Sequence, residues 1–217
     1  MQTHHLKVQR TAHYYTIGTP GKHIKRFWLV CHGYGQAAGK FIYKFDQMDD
    51  GETFILAAEG LSRFYFGGFT GEVGASWMTK ENRTDEIDDY LNLLQTLYDQ
   101  YVPQFADNVK VTLMGFSQGG AAITRFGMLK KPLFHHLILW GTNFAHDINF
   151  FEEKDFLSNK KVILVVGKSD EFLNETNLEK TKTFAQKQEI EYEMVWFEGK
   201  HEVPRKVLHQ IAENIYH

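Results

Sequence analysis

The chain has 217 residues, 43% of them hydrophobic, with a formal net charge of −3 and a pI near 6.4. This length predicts one domain over residues 1–217, and the charge provides no electrostatic basis for binding nucleic acid or an anionic membrane. No apolar run approaches the roughly 18 residues of a membrane span or forms a signal-peptide core, so we expect a soluble, cytoplasmic protein without integral membrane association.

Short apolar segments alternate with helix-like segments, which predicts βαβ units and a mostly parallel sheet. The first segment, residues 7–18, alternates more strictly and predicts an antiparallel edge hairpin. Strands rich in Val, Ile, Leu and Phe follow, as expected where helices cover both faces of a sheet. They are predicted at 26–33, 53–60, 109–117, 136–142, 161–170 and 192–199.

The segment 82–102 carries Ile87, Leu91, Leu94 and Leu97 at helical spacing, with acidic residues near its start, and predicts an amphipathic helix. Further helices are predicted at 119–129, 177–188 and 205–216. The Gly-rich segment 64–76 predicts either a surface loop or a wall of a cleft. The single cysteine, Cys31, is expected to be buried in a strand, and it excludes an internal disulfide and a cysteine-based metal cage.

The sequence Gly115-Phe116-Ser117-Gln118-Gly119 fits the pattern G-x-S-x-G between a predicted strand and a predicted helix. In a nucleophile elbow the serine takes a strained backbone conformation, and the residues two positions away must lack bulk. The helix that follows directs its N-terminal N–H groups towards an anion formed there. The pattern therefore predicts that Ser117 is a catalytic nucleophile.

A serine nucleophile needs a general base, which in this arrangement follows the serine along the chain. His201 directly follows a late predicted strand, next to Gly199, which permits a turn. His135 and His136 precede a strand, and His209 and His217 lie within or beyond the last helix. We therefore predict that His201 is the base.

The base needs an acid to orient it. Asp170 ends the predicted strand "VILVVGKSD" and is expected at the same sheet edge as His201. Asp147 and Asp155 compete, because the acid can come from the preceding strand's loop, and Glu171 is a further alternative. Asp170 is the preferred acid.

Two N–H groups are needed to stabilise the oxyanion formed during acyl transfer. The backbone of Gln118 supplies one as the residue after the nucleophile. In "CHGYGQ", the backbone of Tyr34 is the candidate for the other, and His32 is predicted to be a structural anchor of this loop. These groups complete a site that needs no metal and no organic cofactor.

With these residues in place, the chain resembles the α/β-hydrolase superfamily, and within it the phospholipase/carboxylesterase family that includes acyl-protein thioesterases. The segments "LVCHGYG", "GFSQGGA", "VGKSD" and "GKHEVP" carry the resemblance over nearly the whole chain. It implies a mostly parallel sheet with helices on both faces and no large cap domain. It also implies a triad of Ser117, Asp170 and His201, with the oxyanion hole at Tyr34 and Gln118.

We therefore expect a serine carboxylesterase that hydrolyses small to medium uncharged esters through an acyl-enzyme. Trp77, Phe116 and Phe172 are the expected substrate contacts, within a wider aromatic set that also includes Tyr34, Phe69, Trp140 and Phe144. Lysophospholipids and acyl thioesters are alternative substrates. A catalytically silent ligand-binding protein on the same fold is a further alternative.

Overall fold

The computed structural model describes residues 1–216, and His217 lies outside them. Within residues 1–216, seven strands form the central sheet: β1 (Tyr14–Ile17), β2 (Arg26–Cys31), β3 (Thr53–Ala58), β6 (Lys110–Phe116), β7 (His136–Trp140), β8 (Lys161–Gly167) and β9 (Glu193–Phe197). Their order across the sheet is β1-β3-β2-β6-β7-β8-β9. Only β1 in this sheet is antiparallel to its neighbour, so the predicted mostly parallel sheet is confirmed.

Helices follow most of the parallel strands. They are α1 (Ala38–Phe41), α2 (Arg83–Tyr101), α3 (Gln118–Arg125), α4 (Lys154–Leu157), α5 (Glu175–Lys187) and α6 (Arg205–Tyr216). A 3₁₀ segment follows α1 (Ile42–Met48), another follows α2 (Val102–Gln104), and a π-helical segment follows α3 (Phe126–Lys130). The sequence predicts α2, α3, α5 and α6, but α1 and α4 are too short for a periodic pattern to reveal.

Apolar side chains of the strands alternate between two cores. In β2, Phe27 and Leu29 pack into the core that holds the buried face of α2, whereas Trp28 and Val30 pack into the core that holds α6. Both faces of the sheet are therefore covered by helices, as predicted. Within residues 1–216 no large cap domain interrupts this arrangement. Cys31 is fully buried in β2, which confirms its predicted place.

Two segments differ from the sequence-based expectation. The predicted edge hairpin at 7–18 is wrong: it contains the single strand β1, which pairs with β3 instead of with an adjacent strand. The Gly-rich segment 64–76 includes the end of β4 (Ser62–Tyr65) and all of β5 (Val73–Ser76), and these two strands pair as an antiparallel hairpin. Strict alternation and clustered glycines do not specify which strand will be the partner.

Within residues 1–216, the parallel register brings the carboxyl ends of six strands, β2, β3, β6, β7, β8 and β9, to one edge of the sheet. Cys31 pairs with Gly115, Phe116 with Trp140, and Gly167 with Phe197. The loops after these strands therefore start side by side, at the edge where open α/β sheets bind ligands.

Of the helices within residues 1–216, none combines the length and apolar character needed to cross a bilayer.

Candidate active site

Ser117 lies in a sharp turn between β6 and α3. Its φ of 52° and ψ of −121° place a non-glycine residue in a strained backbone conformation. The Ser117 N–H donates to the Trp140 carbonyl at 2.9 Å, which ties the turn to β7. The local geometry is the one predicted for a nucleophile elbow.

The flanking glycines permit this turn. A Cβ on Gly115 would lie 2.3 Å from the Gly119 carbonyl oxygen, and a Cβ on Gly119 would lie 2.3 Å from the Cys31 carbonyl oxygen. Both distances are far below van der Waals contact, and both obstacles are backbone atoms that cannot rotate away. A side chain at either position would therefore push α3 away from the sheet edge.

Asp170 and His201 meet above the same edge. His201 Nδ1 lies 2.8 Å from Asp170 Oδ2, and the two side chains are 17% and 1% exposed. The Phe172 N–H donates to Asp170 Oδ1 at 2.9 Å, so both carboxylate oxygens have partners. An acid held in this way can fix the orientation of an imidazole ring.

The His201 ring is enclosed by the residues around the elbow. It packs against Phe116, with ring centroids 4.8 Å apart, and against Phe172 at 4.6 Å. The Trp140 indole N–H donates to the Glu202 carbonyl at 2.8 Å and fixes the chain just after the histidine. Since Phe116 directly precedes Ser117, these contacts bring His201 to the elbow.

The Ser117 hydroxyl makes no hydrogen bond to any group in residues 1–216. Hydrogen bonds between a nucleophile and its base are often long in enzymes without substrate and tighten when substrate binds. The Ser117 hydroxyl is therefore not committed to another group among the described residues.

The two backbone N–H groups predicted to bind an oxyanion belong to Gln118, directly after Ser117, and to Tyr34, in the loop after β2. Gln118 is the first residue of α3, so its N–H has no acceptor within the helix. Tyr34 lies in the loop after β2, and its N–H donates to no acceptor within residues 1–216. Both amides are therefore available to an anion.

His32 anchors the Tyr34 loop, as predicted. Its Nδ1 lies 2.8 Å from the Gly33 carbonyl oxygen, and its Nε2 accepts the Gly60 N–H at 3.0 Å. Nδ1 is then the protonated nitrogen of a neutral ring. Burial lowers the pKa of His32, which favours this neutral form.

The alternative acids do not contact His201. Asp147 Oδ1 lies 2.8 Å from Arg125 Nη2, and its Oδ2 lies 3.0 Å from Arg83 Nη2. Although burial opposes its ionisation, the hydrogen bond from Arg125 helps to lower the pKa of Asp147. Asp155 lies in α4 and Glu171 is exposed. Asp147 is therefore one partner of an ion-pair network behind α3.

The expected substrate contacts divide by burial. Trp77 is 2% exposed and Phe116 is 4% exposed, whereas Phe172 is 60% exposed. The expectation for Trp77 needs correction, because its indole N–H donates to the His32 carbonyl at 2.8 Å and the ring lies in the core. Phe116 is likewise buried, and its ring packs against the His201 ring. Of the wider aromatic set, Trp140 and Phe144 are buried, and Tyr34 and Phe69 are exposed.

A cleft of about 600 Å³ borders the site. Phe172, which packs against the His201 ring, and Gly141, which lies beside it, form one part of the lining. Leu173, Phe144 and Met78 add further apolar surface. Among residues 1–216, no group of three or more His, Cys, Asp or Glu side chains could hold a metal ion.

One contact was not foreseen from the sequence. The side chain of Gln118 bonds to the segment after β5, with Oε1 accepting from the Trp77 N–H at 3.0 Å and Nε2 donating to the Met78 carbonyl at 2.8 Å. The sequence feature that could have drawn attention to this side chain is the position of Gln118 directly after Ser117. A local motif does not show which distant backbone a side chain will reach.

A family model described as phospholipase/carboxylesterase matches residues 13–217. No curated protein matches the sequence. Acyl-protein thioesterase 2 of Zea mays has a similar structure, with a TM-score of 0.70 at 12% identity, over 95% of this chain and 98% of that one.

Two further solved structures resemble the chain. A phospholipase/carboxylesterase of Dyadobacter fermentans has a TM-score of 0.61 at 16% identity, over 97% of this chain and 99% of that one. Esterase PE8 has a TM-score of 0.64 at 16% identity, over 95% and 99% of the two chains. At these identities the likeness is one of fold, and the family model covers nearly the whole sequence. The chain therefore belongs to the phospholipase/carboxylesterase family of α/β-hydrolase-fold ester hydrolases.

Proposed function

We propose that the protein is a serine carboxylesterase that hydrolyses small to medium uncharged carboxylic esters through an acyl-enzyme. The observation that carries this proposal is the 2.8 Å contact between His201 and the buried Asp170, formed beside the strained turn at Ser117. A strained, unpaired serine next to an oriented imidazole has the parts that nucleophilic acyl transfer requires.

In the first half of the reaction, Ser117 Oγ attacks the ester carbonyl carbon while His201 Nε2 takes the hydroxyl proton. The carbonyl oxygen becomes an anion that accepts hydrogen bonds from the N–H groups of Gln118 and Tyr34. When the tetrahedral intermediate collapses, the carbon–oxygen bond to the alcohol breaks and His201 protonates the leaving alkoxide. The acyl group remains on Ser117 as an ester.

In the second half, water attacks the acyl carbon and His201 takes its proton. Collapse of the second intermediate releases the carboxylic acid and returns the proton to Ser117 Oγ. Asp170 accepts the Nδ1–H hydrogen bond throughout, so that Nε2 faces the serine as the basic nitrogen. It also stabilises the imidazolium that forms in each half.

The neighbouring cleft supports an uncharged substrate. Phe172 and Leu173 supply apolar surface next to the site, and a volume of about 600 Å³ suits a small or medium ester. Of the two arginines in this lining, Arg125 is 3% exposed, and Arg125 and Arg83 share the carboxylate of Asp147. Thioesters and lysophospholipids present the same acyl carbonyl, so relative turnover at matched acyl length distinguishes these substrates from simple esters.

Covalent labelling tests the proposal directly. A fluorophosphonate probe should modify the wild type at one peptide, the one containing Ser117, and peptide mass mapping identifies it. Ser117→Ala should lose the label and about 10⁴- to 10⁶-fold in kcat on p-nitrophenyl esters. Ser158→Ala is the matched control, because Ser158 is an exposed serine whose hydroxyl donates to the Asp155 carbonyl.

The label and turnover of Ser158→Ala should equal those of the wild type. A folded wild type that takes no label and hydrolyses no ester would contradict the proposal and favour a catalytically silent ligand-binding protein. After labelling at Ser117, a p-nitrophenyl ester series of increasing acyl length would define the substrate range.

A further inference from the structure

Strand β5 lies against the loop proposed to supply the first oxyanion donor. The Gly35 N–H donates to the Ala75 carbonyl at 2.9 Å, and the Ala75 N–H donates to the Gln36 carbonyl at 3.1 Å. Two reciprocal backbone hydrogen bonds of this kind fix one segment relative to another, as in a short β-ladder. The residues directly after Tyr34 are therefore held by β5.

The continuation of β5 holds the second donor. The Gln118 side chain accepts from the Trp77 N–H at 3.0 Å and donates to the Met78 carbonyl at 2.8 Å. Its amide also contacts the Ser76 hydroxyl at 3.2 and 3.3 Å. An amide that accepts on one side and donates on the other can take only one orientation.

The segment itself is anchored in the core. Ser76 and Trp77 are each 2% exposed. The Trp77 indole N–H donates to the carbonyl of His32, two residues before Tyr34, and the Trp77 and His32 ring centroids are 5.1 Å apart. Residues 75–78 thus form a rigid connection between the two loops, which we call the β5 brace.

We propose that the side chain of Gln118 is a positioning group, which uses the β5 brace to set the direction of its own backbone N–H and its separation from the Tyr34 N–H. This inference deepens the proposed function and rests on it. An oxyanion donor works only when it lies about 2.7–3.1 Å from the anion. A small rotation of the first turn of α3 would therefore reduce stabilisation of the transition state, while binding of the ester ground state would be almost unaffected.

Gln118→Met tests this role, because methionine has a similar length and forms neither amide hydrogen bond. We expect kcat on p-nitrophenyl butyrate to fall about 10- to 100-fold with KM changed less than threefold, since loss of a complete donor costs about 10²- to 10³-fold. A trifluoromethyl ketone, which forms a tetrahedral adduct with the serine, should bind more weakly by the same factor as kcat/KM falls.

Three matched variants accompany it. Gln118→Glu keeps the acceptor for Trp77 N–H and loses the donor to Met78, and it gives a second measurement if the methionine variant does not fold. Ser76→Ala keeps both main bonds of the glutamine and should lose less than threefold in kcat. Gln104→Met removes the bond from an exposed glutamine to the Gln100 carbonyl and should leave kcat unchanged.

The outcomes separate this inference from the proposed function. An active wild type with Gln118→Met or Gln118→Glu within twofold of it in kcat and in ketone affinity would overturn the positioning role alone. A loss confined to KM, or one that matches the unfolded fraction seen by circular dichroism, would overturn it as well. A folded wild type with neither fluorophosphonate labelling nor esterase activity would overturn the proposed function and this inference with it.

Discussion

His201 and Asp170 connect the loops after β9 and β8 through the 2.8 Å contact between Nδ1 and Oδ2. The aspartate side chain is 1% exposed, so water does not compete for this contact. Its other oxygen accepts the Phe172 N–H, which prevents the carboxylate from turning away. The pair is therefore preorganised before any substrate arrives.

Asp170→Asn should lower kcat by about 10⁴-fold, because an amide that donates towards Nδ1 stabilises the wrong tautomer of His201. Steady-state kinetics with a p-nitrophenyl ester measures the loss. Asp147→Asn is the matched control, since Asp147 bonds to Arg125 and Arg83. This control should lower stability and reduce kcat less than tenfold. A larger kcat loss in Asp147→Asn would transfer the role of acid to that residue.

Phe172→Ala should raise KM for medium-chain esters about tenfold and change kcat little. The ring is 60% exposed beside His201, so an acyl or alcohol group can cover it and gain on the order of 1–2 kcal/mol of apolar contact. Phe151→Ala removes a ring that is 45% exposed and lies outside the cleft lining, and it serves as the control. Unchanged KM across the ester series would remove Phe172 from the substrate site.

The sequence predicted most of the sheet and the placement of Ser117, Asp170 and His201, because these depend on local patterns. Buried parallel strands are continuous apolar runs, and the elbow requires glycines at fixed positions. The order of strands then brings their carboxyl ends together. Asp170 and His201 are 31 positions apart in the chain and nevertheless meet for this reason.

The parts that the sequence did not predict depend on long-range pairing. Trp77 was expected to contact substrate, yet its indole N–H finds an acceptor at His32, 45 positions earlier, and the ring is buried. The alternating segment before β2 suits a hairpin as well as an edge strand, and pairing with β3 decides between them. The hydrogen bonds of the Gln118 side chain to Trp77 and Met78 also join residues that are far apart in the sequence.

Gly141→Ala should reduce kcat by at least about tenfold. Gly141 has a φ of +58°, and an added Cβ would lie 3.0 Å from His201 Cε1 and 3.1 Å from Nδ1, the atom that contacts Asp170. The methyl group would displace the imidazole, and small displacements of a catalytic group are costly. Kinetics and thermal unfolding should be measured on the same preparation.

Gly51→Ala is the control for the Gly141 variant. Gly51 has a φ of +77° with nothing within 4 Å of an added Cβ, so it carries a similar backbone cost of about 1 kcal/mol without a contact at the site. Both variants should unfold at lower temperature, and only Gly141→Ala should lose turnover. Equal kcat in the two variants would show that Gly141 does not control the position of His201.

His136 should make the protein less stable in acid. Burial and the nearby positive charges of His135, Lys161 and Lys110 lower the pKa of His136 to about 4 from the ordinary value of 6.5. The unfolded chain therefore binds the proton more readily than the folded protein. The contribution of His136 to the free energy of unfolding is complete above pH 6.5 and is lost as the pH falls towards 4, by at most about 3 kcal/mol. Urea unfolding at pH 7.5, 6.5, 5.5 and 4.5 measures this slope.

His136→Gln should have a shallower slope over the same range, because glutamine is neutral and can keep a hydrogen bond to the Thr112 hydroxyl that His136 contacts at 3.0 Å. Part of the slope should remain, since burial also lowers the pKa of His32. His4→Gln, at an exposed position near the N-terminus, should leave the slope unchanged. If His136→Gln and the wild type lose equal stability between pH 6.5 and 4.5, the buried histidine at the start of β7 does not become protonated on unfolding in this range, and the acid sensitivity arises elsewhere.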